Sequence, residues 1–355
     1  MQAIEHYRAQ VLEAASSRRP LRIRGGGTKD FYGQAFDGAI LDTRAYAGIV
    51  DYEPTELVIT ARCGTPLAEI EAALAGHNQM LAFEPPHFGP DATFGGVVAS
   101  GLSGPRRATS GAVRDFILGA VLMDGAGEVL TFGGQVMKNV AGYDVSRLLA
   151  GSMGALGLML QASVKVLPRT RREATLRFSM SEIDALRQLN EWGGMPLPVS
   201  ASCWHDGVLH LRLSGATAAV AAALNGMGGE LLPDCAPFWA GVREQQHPFF
   251  AGDEPLWRLS VPSATSALIL PGRQLIEWGG ALRWLKGSVD AATVRRTVSA
   301  AGGHATLFRG GDKSVGVFQP LAPAIGRIHQ RLKASFDPSH IFNPGRVYAY
   351  ANESR

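Results

Sequence analysis

Near the start of the chain, short hydrophobic runs are separated by polar and turn residues. This pattern predicts one helix followed by brief strands. Residues 1–20, MQAIEHYRAQVLEAASSRRP, have the amphipathic spacing of a helix. The runs LRIR (21–24) and AILDT (39–43) predict short strands between turn residues. ELVITARCG (56–64) is β-branched and alternating, and predicts a better-formed strand.

A second helix is predicted directly after ELVITARCG. Thr65 supplies a hydroxyl suited to a helix cap, and Pro66 suits the first helical position. Gly76 fits the end of the helix. Between them an apolar stripe runs at helical spacing, consisting of Leu67, Ile70 and Leu74.

Residues 85–157 are rich in glycine and show few helical periods. Within them FILGAVLM, the turn DGAG and EVLTF predict a β-hairpin. DVSRLLAG predicts a short helix, and MLQASVKVL predicts a strand that ends at Pro168. Glycine at this density is typical of places where the backbone passes close to another group.

The charged run RTRREAT (169–175) follows a proline and predicts a domain boundary. Beyond it, strands such as 208–214 and 257–263 alternate with helices such as 182–192 and 216–227, which predicts an α+β region with an antiparallel sheet. A last helix leads into a turn and a tail. Its predicted apolar face consists of Ile325, Ile328, Leu332 and Phe336.

Composition narrows the class of protein. The chain has 355 residues, 46% hydrophobic and 18% charged, so we expect a soluble protein of two or three domains. A net charge of +3 is too balanced to favour nucleic acid or an anionic membrane as the main partner. The N-terminus lacks the apolar core of a signal peptide, no stretch is apolar enough to span a membrane, and we expect a cytoplasmic location.

Metal and redox centres built on cysteine or histidine are not predicted. The cysteines, Cys63, Cys203 and Cys235, are scattered and form no C-x-x-C pair, which argues against zinc, thioredoxin-type and iron–sulfur sites. Few and scattered cysteines fit a reducing compartment. None of the nine histidines lies beside a second ligand at metal spacing.

The candidate chemistry centres on RIRGGGTKDFYG (22–33). A dinucleotide fingerprint starting at Gly25 and Gly27 fails, because its third glycine position is Asp30. The chain has no Gly-Lys pair for a Walker A loop, no H-E-x-x-H zinc motif and no G-x-S-x-G nucleophile elbow. These patterns therefore leave the role of the glycines undecided.

Two explanations of the glycines stay open at this point. They form either a tight turn without a ligand or a cradle whose backbone N–H groups bind an anion. Thr28 adds a hydroxyl to the second possibility, and a further glycine loop, ATFGG (92–96), offers the same chemistry.

Taken together, the motifs resemble the vanillyl-alcohol-oxidase (PCMH) type of FAD-binding flavoproteins. Segments of that family match a strand followed by GGGT (25–28), Thr93-Phe94-Gly95-Gly96, SGAVRD (110–115), GSMGALG (151–157) and FDPSHIFNPGR (336–346). Within this family the chain resembles the FAD-binding E subunits of bacterial glycolate oxidases. That resemblance rests on ELVITARCGTPLAEIEAAL, EPPHFGPDATFGGVVASGLSGPRR, GGQVMKNVAGYDVSRLLAGSMG, QLIEWGGALRWLK and AGGHATLF.

The resemblance implies an α+β fold that binds FAD non-covalently. Residues 1–170 would form a PCMH-type FAD-binding domain of two α/β subdomains, 171–325 an α+β cap domain with an antiparallel sheet, and 326–355 a segment returning to the FAD domain. It also implies a set of cofactor-binding residues. These are Gly25, Gly26, Gly27, Thr28, Lys29, Pro86, Thr93, Gly95, Gly96, Ser100, Gly101, Ser110, Gly111, Gly157, Trp278 and Asn343.

Some of these residues have a specific expected place. The resemblance puts Lys29 beside the FAD diphosphate and Asn343 close to the isoalloxazine. Trp278, followed by two glycines, suits either a face against a ring or ordinary core packing. Arg283 and Arg346 are the candidate catalytic residues, as holders of a substrate carboxylate, and the alternative is that both form structural ion pairs. No residue is assigned as the catalytic base.

One departure from the wider family bears on function. Related D-2-hydroxyacid dehydrogenases hold a divalent metal through H-G-D-G-N-x-H and a later glutamate, and that metal grips the substrate. The region here reads GGHATLFRGGDKSVGVF (302–318) and retains only His304. We therefore expect no metal site, and substrate oxidation that depends on another protein.

The resemblance implies a redox subunit of a glycolate (2-hydroxyacid) oxidase or dehydrogenase complex. Its expected partners are a catalytic flavin subunit and an iron–sulfur subunit that accepts the electrons, with peripheral membrane association through them. There are two alternatives: a self-sufficient FAD-dependent D-2-hydroxyacid dehydrogenase, and a non-catalytic scaffold subunit stabilised by flavin.

Overall fold

The computed structural model describes residues 2–134 and 143–349, so most of the quoted segment GGQVMKNVAG (133–142) lies outside the described residues. The described strands are β1 (Leu21–Arg24), β2 (Ala39–Asp42), β3 (Ile49–Glu53), β4 (Val58–Arg62), β5 (Gln79–Met80), β6 (Ile117–Met123), β7 (Val129–Gly133), β8 (Leu158–Lys165), β9 (Leu167–Pro168), β10 (Arg172–Ser179), β11 (Val199–His205), β12 (Val208–Gly215), β13 (Glu230–Leu232), β14 (Leu256–Ser260), β15 (Arg273–Glu277), β16 (Leu282–Lys286) and β17 (His304–Arg309).

The described α-helices are α1 (Gln2–Ser17), α2 (Leu67–Gly76), α3 (Phe94–Ser100), α4 (Arg107–Ser110), α5 (Val113–Phe116), α6 (Val145–Leu149), α7 (Glu182–Gly193), α8 (Thr217–Met227), α9 (Ala236–Arg243), α10 (Ala291–Ala300) and α11 (Pro323–Phe336). Short 3₁₀ turns cover Pro248–Phe250, Trp278–Gly280 and Lys313–Val315.

The N-terminal part of the chain contains two main sheets and a third made only of the two-residue strands β5 and β9. Strands β1 and β2 pair in parallel, and β3, β4, β8, β6 and β7 form an antiparallel sheet in that order. The predicted hairpin is β6 and β7, paired from Met123 with Val129 to Gly119 with Gly133. Helices α2 and α3 pack their apolar residues, including Leu67, Ile70 and Leu74, against the larger sheet and bury them fully or almost so.

The predicted cap of α2 is wrong. The helix begins at Leu67, Pro66 takes the cap position, and no side chain caps it. The Thr65 hydroxyl instead donates to the Arg62 carbonyl oxygen at 2.7 Å and accepts from the Gly48 N–H at 2.8 Å. Thr65 therefore closes the turn after β4, since the backbone at residue 48 comes within reach of its side chain.

The C-terminal part contains an eight-stranded antiparallel sheet in the order β13, β10, β12, β11, β15, β16, β14, β17. On one face Leu209, Leu211 and Leu213 of β12 are buried in a cluster with residues of α7 and α8. On the other face Trp278, Trp284 and other apolar residues form a cluster with Tyr32 and Leu102 from the N-terminal part. Because residues alternate along a strand, one sheet face builds the local core and the other meets the glycine-rich loops.

The last helix, α11, departs from the expected burial in its first half, whereas Leu332 and Phe336 are partly buried as expected. Ile325 and Ile328 are 45% and 53% exposed, whereas Lys333 is 1% exposed. The Lys333 ammonium donates to Asp337 Oδ2 at 2.7 Å and to the Phe342 carbonyl oxygen at 2.6 Å. The helix is therefore anchored by a buried ion pair as well as by apolar contacts.

The α+β class, with an antiparallel sheet in the second part, is confirmed. The domain limits at 170 and 325 stay a prediction. The change of sheet between β9, which ends at Pro168, and β10, which starts at Arg172, supports the first of them. Within residues 2–134 and 143–349, no helix is both long and apolar enough to cross a bilayer.

Candidate functional site

A cleft opens where the chain leaves β1 and enters the glycine loop. Four further segments complete its walls: the start and end of α3, residue 36, residue 153 and the tail at 343–346. Ten of the residues singled out in the sequence line it together. They are Gly25, Gly26, Gly27, Thr28, Lys29, Thr93, Gly96, Ser100, Asn343 and Arg346.

The glycine loop leaves no room for side chains. A Cβ atom on Gly26 would overlap the carbonyl oxygen of Asp91, and one on Gly25 would overlap the Thr93 hydroxyl. Gly27 has a φ of +74°, a conformation that residues with a Cβ rarely adopt. The three glycines are therefore required by close backbone approach and by the turn itself.

The backbone N–H groups of the loop are available to a ligand. From Gly25 to Lys29, none donates a hydrogen bond to any residue that the structure describes. Successive N–H groups in such a loop form a concave donor site that suits an anion. This arrangement favours a loop that binds an anion over a tight turn without a ligand.

The charge of the cleft also suits an anion. Arg22, Arg24, Lys29 and Arg346 line it, against a single carboxylate among its lining residues, that of Asp30. Asp30 Oδ2 lies 2.9 Å from Arg22 Nη2 and 2.7 Å from Arg24 Nε. The balance left after this pairing is positive, which fits a diphosphate.

Lys29 is a partly buried cation of the cleft, and its surroundings change its pKa. Its Nζ donates to the His87 carbonyl oxygen at 3.2 Å and lies 5.6 Å from the centre of the Phe88 ring. The Glu244 carboxylate holds that loop from the other side, accepting the N–H of Phe88 at 2.8 Å. Burial lowers the pKa of Lys29 to about 8, and the nearby Glu244 charge raises it.

Flavin affinity is expected to depend on the protonation of Lys29. The ammonium attracts a diphosphate, so affinity should fall as pH rises through about 8, the pKa of the free site. Lys29→Met should weaken binding at pH 7 by roughly tenfold, about 1.4 kcal/mol, and abolish the pH dependence between 7 and 9. Fluorescence titration with FAD measures both effects. Lys165→Met, outside the cleft on β8, is the control, and an unchanged pH profile in Lys29→Met would contradict this role.

Asn343 and Arg346 hold the cleft together. Asn343 Oδ1 accepts the Ile23 N–H at 2.8 Å, and its Nδ2 donates to the Met153 carbonyl oxygen at 2.6 Å. Arg346 donates through Nη1 to the Gln34 carbonyl oxygen and through Nη2 to that of Asp30, each at 2.9 Å. Both side chains therefore bind backbone groups around the cleft, and Arg346 contacts carbonyl oxygens rather than the carboxylate of the structural ion pair that was the alternative to a catalytic role.

The ATFGG segment is the start of a helix rather than a loop. Thr93 caps α3 by accepting the Gly96 N–H at 3.3 Å. Gly95 packs against Cys63, where a Cβ would lie 2.7 Å from the Cys63 Cβ. Thr93 and Gly96 line the cleft, and Gly95 joins α3 to the end of β4.

Other predicted cofactor residues lie outside this cleft. Pro86 lines a neighbouring cavity, and Gly101 abuts Gly151, where a Cβ would meet its Cα at 2.9 Å. The Ser110 hydroxyl donates to the Ala82 carbonyl oxygen at 2.9 Å. Two further glycines have positive φ: Gly111, at +107°, directly follows α4, and Gly157, at +152°, directly precedes β8.

Trp278 and Arg283 are buried in the second part of the chain. The Trp278 Nε1–H donates to the Gly104 carbonyl oxygen at 3.0 Å, and the guanidinium groups of Arg107 and Arg258 lie 4.4 and 5.3 Å from the centre of its ring. Arg283 is fully buried and donates to the carbonyl oxygens of Gly280, Ser266 and Thr265. These contacts argue for a structural role of Arg283, again through carbonyl groups rather than an ion pair.

Sequence reasoning missed several lining residues: Arg22, Ile23, Arg24, Asp30, Phe36, Ala99 and Met153. Arg22 and Arg24 alternate with apolar residues in LRIR and so lie on one side of the strand, and Asp30 follows shortly after. This pattern could have indicated that the two arginines pair with Asp30. Met153 lies within the quoted segment GSMGALG (151–157), whereas Phe36 carries no local signal and is brought to the cleft by tertiary folding alone.

No group of three or more His, Cys, Asp or Glu residues is arranged to hold a metal in the described parts of the chain. His304 starts β17, and burial, with the Arg258 charge, lowers the pKa of its imidazole. The geometry instead suits one group best. Free N–H groups, surplus positive charge and excluded Cβ positions together fit the diphosphate of FAD.

Comparisons with known proteins agree with this geometry. Residues 2–133 match the FAD binding domain family. The chain is 52% identical over 340 residues to the glycolate oxidase subunit GlcE of Escherichia coli, covering 96% of each chain. It is 29% identical over 184 residues to the glycolate oxidase subunit GlcD of Bacillus subtilis, covering 51% of this chain and 39% of GlcD.

The fold is shared with a solved structure of alkyldihydroxyacetonephosphate synthase. The match has a TM-score of 0.65 and 14% identity, and covers 95% of this chain and 74% of the synthase. At that identity the likeness concerns the fold alone. The likeness to GlcE, by contrast, extends over nearly the whole of both sequences. The chain therefore belongs to the family of the glycolate oxidase subunit GlcE, as an oxidoreductase subunit with FAD as its cofactor.

Proposed function

We propose that this chain is the FAD-binding redox subunit of a complex that oxidises glycolate, a 2-hydroxyacid, to glyoxylate. A catalytic flavin subunit performs most of the substrate chemistry, and an iron–sulfur subunit receives the electrons. The complex meets the cytoplasmic side of the membrane through these partners. The observation that carries the proposal is the likeness to GlcE over 96% of both chains, since GlcE is by name a subunit of glycolate oxidase.

The cleft supports the cofactor part of the proposal. Residues Gly25 to Lys29 hold the diphosphate through backbone N–H groups and the Lys29 ammonium, while Asn343 and Arg346 fix the loop from the tail. When bound, FAD supplies a two-electron acceptor. We keep residues 1–170, 171–325 and 326–355 as the FAD-binding domain, the cap domain and the returning segment.

The cysteine content of the chain bears on where the electrons of the flavin go. Its three cysteines are too few for a Cys₄ cluster, so electrons from the flavin must leave for another molecule. A partner with an iron–sulfur cluster is the acceptor that agrees with a subunit of a larger oxidase.

Anaerobic mixing with substrate tests this assignment. We expect the FAD-loaded chain alone to keep its visible flavin absorbance when glycolate or D-lactate is added, and to be reduced once the catalytic flavin subunit and the iron–sulfur subunit are present. Rapid loss of the flavin absorbance in the isolated chain would contradict the proposal that a partner subunit performs the substrate chemistry, and would establish a self-sufficient dehydrogenase.

A flavin-free variant separates an electron relay from a scaffold. If this flavin lies on the electron path, a complex assembled with the flavin-free chain should form but lose glycolate oxidation. Full activity of that complex would show that the subunit acts as a scaffold.

A further inference from the structure

A short segment of the N-terminal part, EPPHF at 84–88, is attached to the C-terminal part at both ends. At its first residue, Glu84 Oε1 lies 2.9 Å from Arg212 Nη2 on β12. At its last two residues, the backbone N–H groups bind Glu244, which directly follows α9. The two prolines between these contacts restrict the backbone further, because the proline ring fixes φ. We call residues 84–88 the proline segment.

The backbone of the proline segment is held in an unfavourable conformation. Glu84 and Phe88 have φ of +48° and +53°, in the left-handed region that residues with a Cβ rarely adopt. Such a conformation persists only where the surrounding structure stabilises it. The contacts with Arg212 and Glu244 are made at the two ends that need this stabilisation.

Glu244 is well suited to fix the end of the proline segment. Its side chain is 14% exposed, and one oxygen, Oε2, accepts the N–H groups of both His87, at 3.0 Å, and Phe88, at 2.8 Å. The other oxygen, Oε1, accepts the Arg243 Nε–H at 2.7 Å. Hydrogen bonds to an ionised acceptor are roughly twice as strong as those between neutral groups. Glu244 therefore holds this backbone more firmly than a neutral side chain would.

The proline segment also contacts the diphosphate cleft. The His87 carbonyl oxygen accepts a hydrogen bond from the Lys29 ammonium at 3.2 Å, and the centre of the Phe88 ring lies 5.6 Å from the same nitrogen. A single residue, His87, therefore connects Glu244 to Lys29, because its N–H binds one and its carbonyl group binds the other.

The charge of Glu244 acts on Lys29 in addition to these hydrogen bonds. It raises the pKa of Lys29, against the burial that lowers this pKa to about 8. Removing the charge would lower the pKa further, so the ammonium would be lost at a lower pH. The other charged or titratable groups around Lys29 and the proline segment are Arg22, Arg24, Asp30, Glu71, His87, Arg243, Arg309 and Arg346.

We propose that Glu244 is a positioning residue for the cofactor: from the C-terminal part of the chain it holds the proline segment against the glycine loop and so keeps Lys29 in place to bind the diphosphate. FAD binding and the attachment of the two parts are then coupled, since each favours the same arrangement of the proline segment. This role rests on the diphosphate site of the proposed function and adds to it a residue outside the cleft.

Two substitutions separate the hydrogen bonds of Glu244 from its charge. Glu244→Gln keeps one side-chain oxygen, which is enough for both N–H groups because Oε2 alone accepts them in the wild type. It should bind FAD within about threefold of the wild type at pH 6, where Lys29 is charged in both chains. The midpoint of its pH dependence should move down by about half a pH unit or more.

Glu244→Ala removes the hydrogen bonds as well as the charge. It should weaken FAD binding by about fivefold or more even at pH 6. Fluorescence titration of the full-length apoprotein with FAD measures these affinities, and circular dichroism establishes that each variant is folded. Because Glu244→Gln keeps the backbone contacts, it tests the charge even if Glu244→Ala fails to fold.

Glu71→Gln is the matched control. Glu71 binds the same His87, but through the imidazole, with its Oε2 3.0 Å from Nε2. This substitution should leave both the affinity at pH 6 and the midpoint unchanged. An NMR titration of the FAD-free chain with isotope-labelled lysine, assigned with Lys29→Met, should show a lower pKa of Lys29 in Glu244→Gln and not in Glu71→Gln.

A double variant tests whether the effect passes through Lys29. Glu244→Gln combined with Lys29→Met should bind FAD no more weakly than Lys29→Met alone. Additive losses, an unchanged midpoint in Glu244→Gln or wild-type affinity of a folded Glu244→Ala chain at pH 6 would each overturn this role of Glu244. Failure of the diphosphate site itself would appear differently, as a wild-type FAD affinity that does not depend on Lys29, while the NMR titration would still report the contact between Lys29 and Glu244.

Discussion

Gly26→Ala is expected to yield a folded chain that no longer retains flavin. A methyl group at this position would overlap the Asp91 carbonyl oxygen, so the loop has to move away from the segment that leads into α3. The N–H groups from Gly25 to Lys29 would then no longer converge on one point. Because several of them act on the same diphosphate, the loss is larger than that of one hydrogen bond.

The expected loss of FAD affinity is at least 100-fold, about 2.7 kcal/mol. It is measured by fluorescence titration of the purified apoprotein, with circular dichroism and thermal unfolding to establish that the chain is folded. Gly76→Ala is the matched control, since a Cβ there meets nothing within 4 Å. A folded Gly26→Ala chain with wild-type affinity would show that this loop does not hold the cofactor.

The glycine loop is the part of the site that the sequence predicts best. Its three glycines are consecutive, follow a recognisable strand and belong to a segment that resembles known flavoproteins. The hairpin of β6 and β7 is predicted equally well, because the turn sequence DGAG separates two apolar runs. In both cases the deciding interactions are local in sequence.

Long-range packing decides what the sequence leaves open. Arg283 and Arg346 are good carboxylate ligands by type, yet the fold places their guanidinium groups on backbone carbonyl oxygens. Thr65 suits a helix cap, but the approach of Gly48 offers its hydroxyl another partner. The buried hydrogen bond between Glu277 and Trp284 needs strands β15 and β16 in register, and no local pattern specifies that register.

In the tail, too, the sequence predicts one important residue and gives no sign of another. The sequence motif FDPSHIFNPGR identifies Asn343 as important, and the structure shows that its side chain joins Ile23 to Met153. The sequence does not point to Lys333, ten residues earlier, because the apolar positions of its helix are the signal that predicts which face is buried. A lysine in a helix gives no sign of burial in the sequence, because its partners reach it only when the chain is folded.

Lys333→Met is expected to destabilise the chain by about 3–5 kcal/mol, the usual cost of removing one partner from a buried ion pair. Asp337, which is fully buried, would lose the ammonium at 2.7 Å, and the carbonyl oxygens of Ala155 and Phe342 would lose their donor. Flavin affinity should fall as well, since Phe342 directly precedes Asn343 in the wall of the cleft.

Urea unfolding of the apoprotein measures the stability change, and FAD titration measures the effect on the cleft. Arg331→Met removes an exposed cation from the same helix and should shift the unfolding free energy by less than about 0.5 kcal/mol. Adding Asp337→Asn to Lys333→Met should restore part of the stability, because the remaining buried group is then neutral and its single amide oxygen still accepts one of the two N–H groups, those of Ile341 and Phe342, that the carboxylate accepts. If Lys333→Met were no less stable than Arg331→Met, the buried pair would not be what anchors the tail to the flavin cleft.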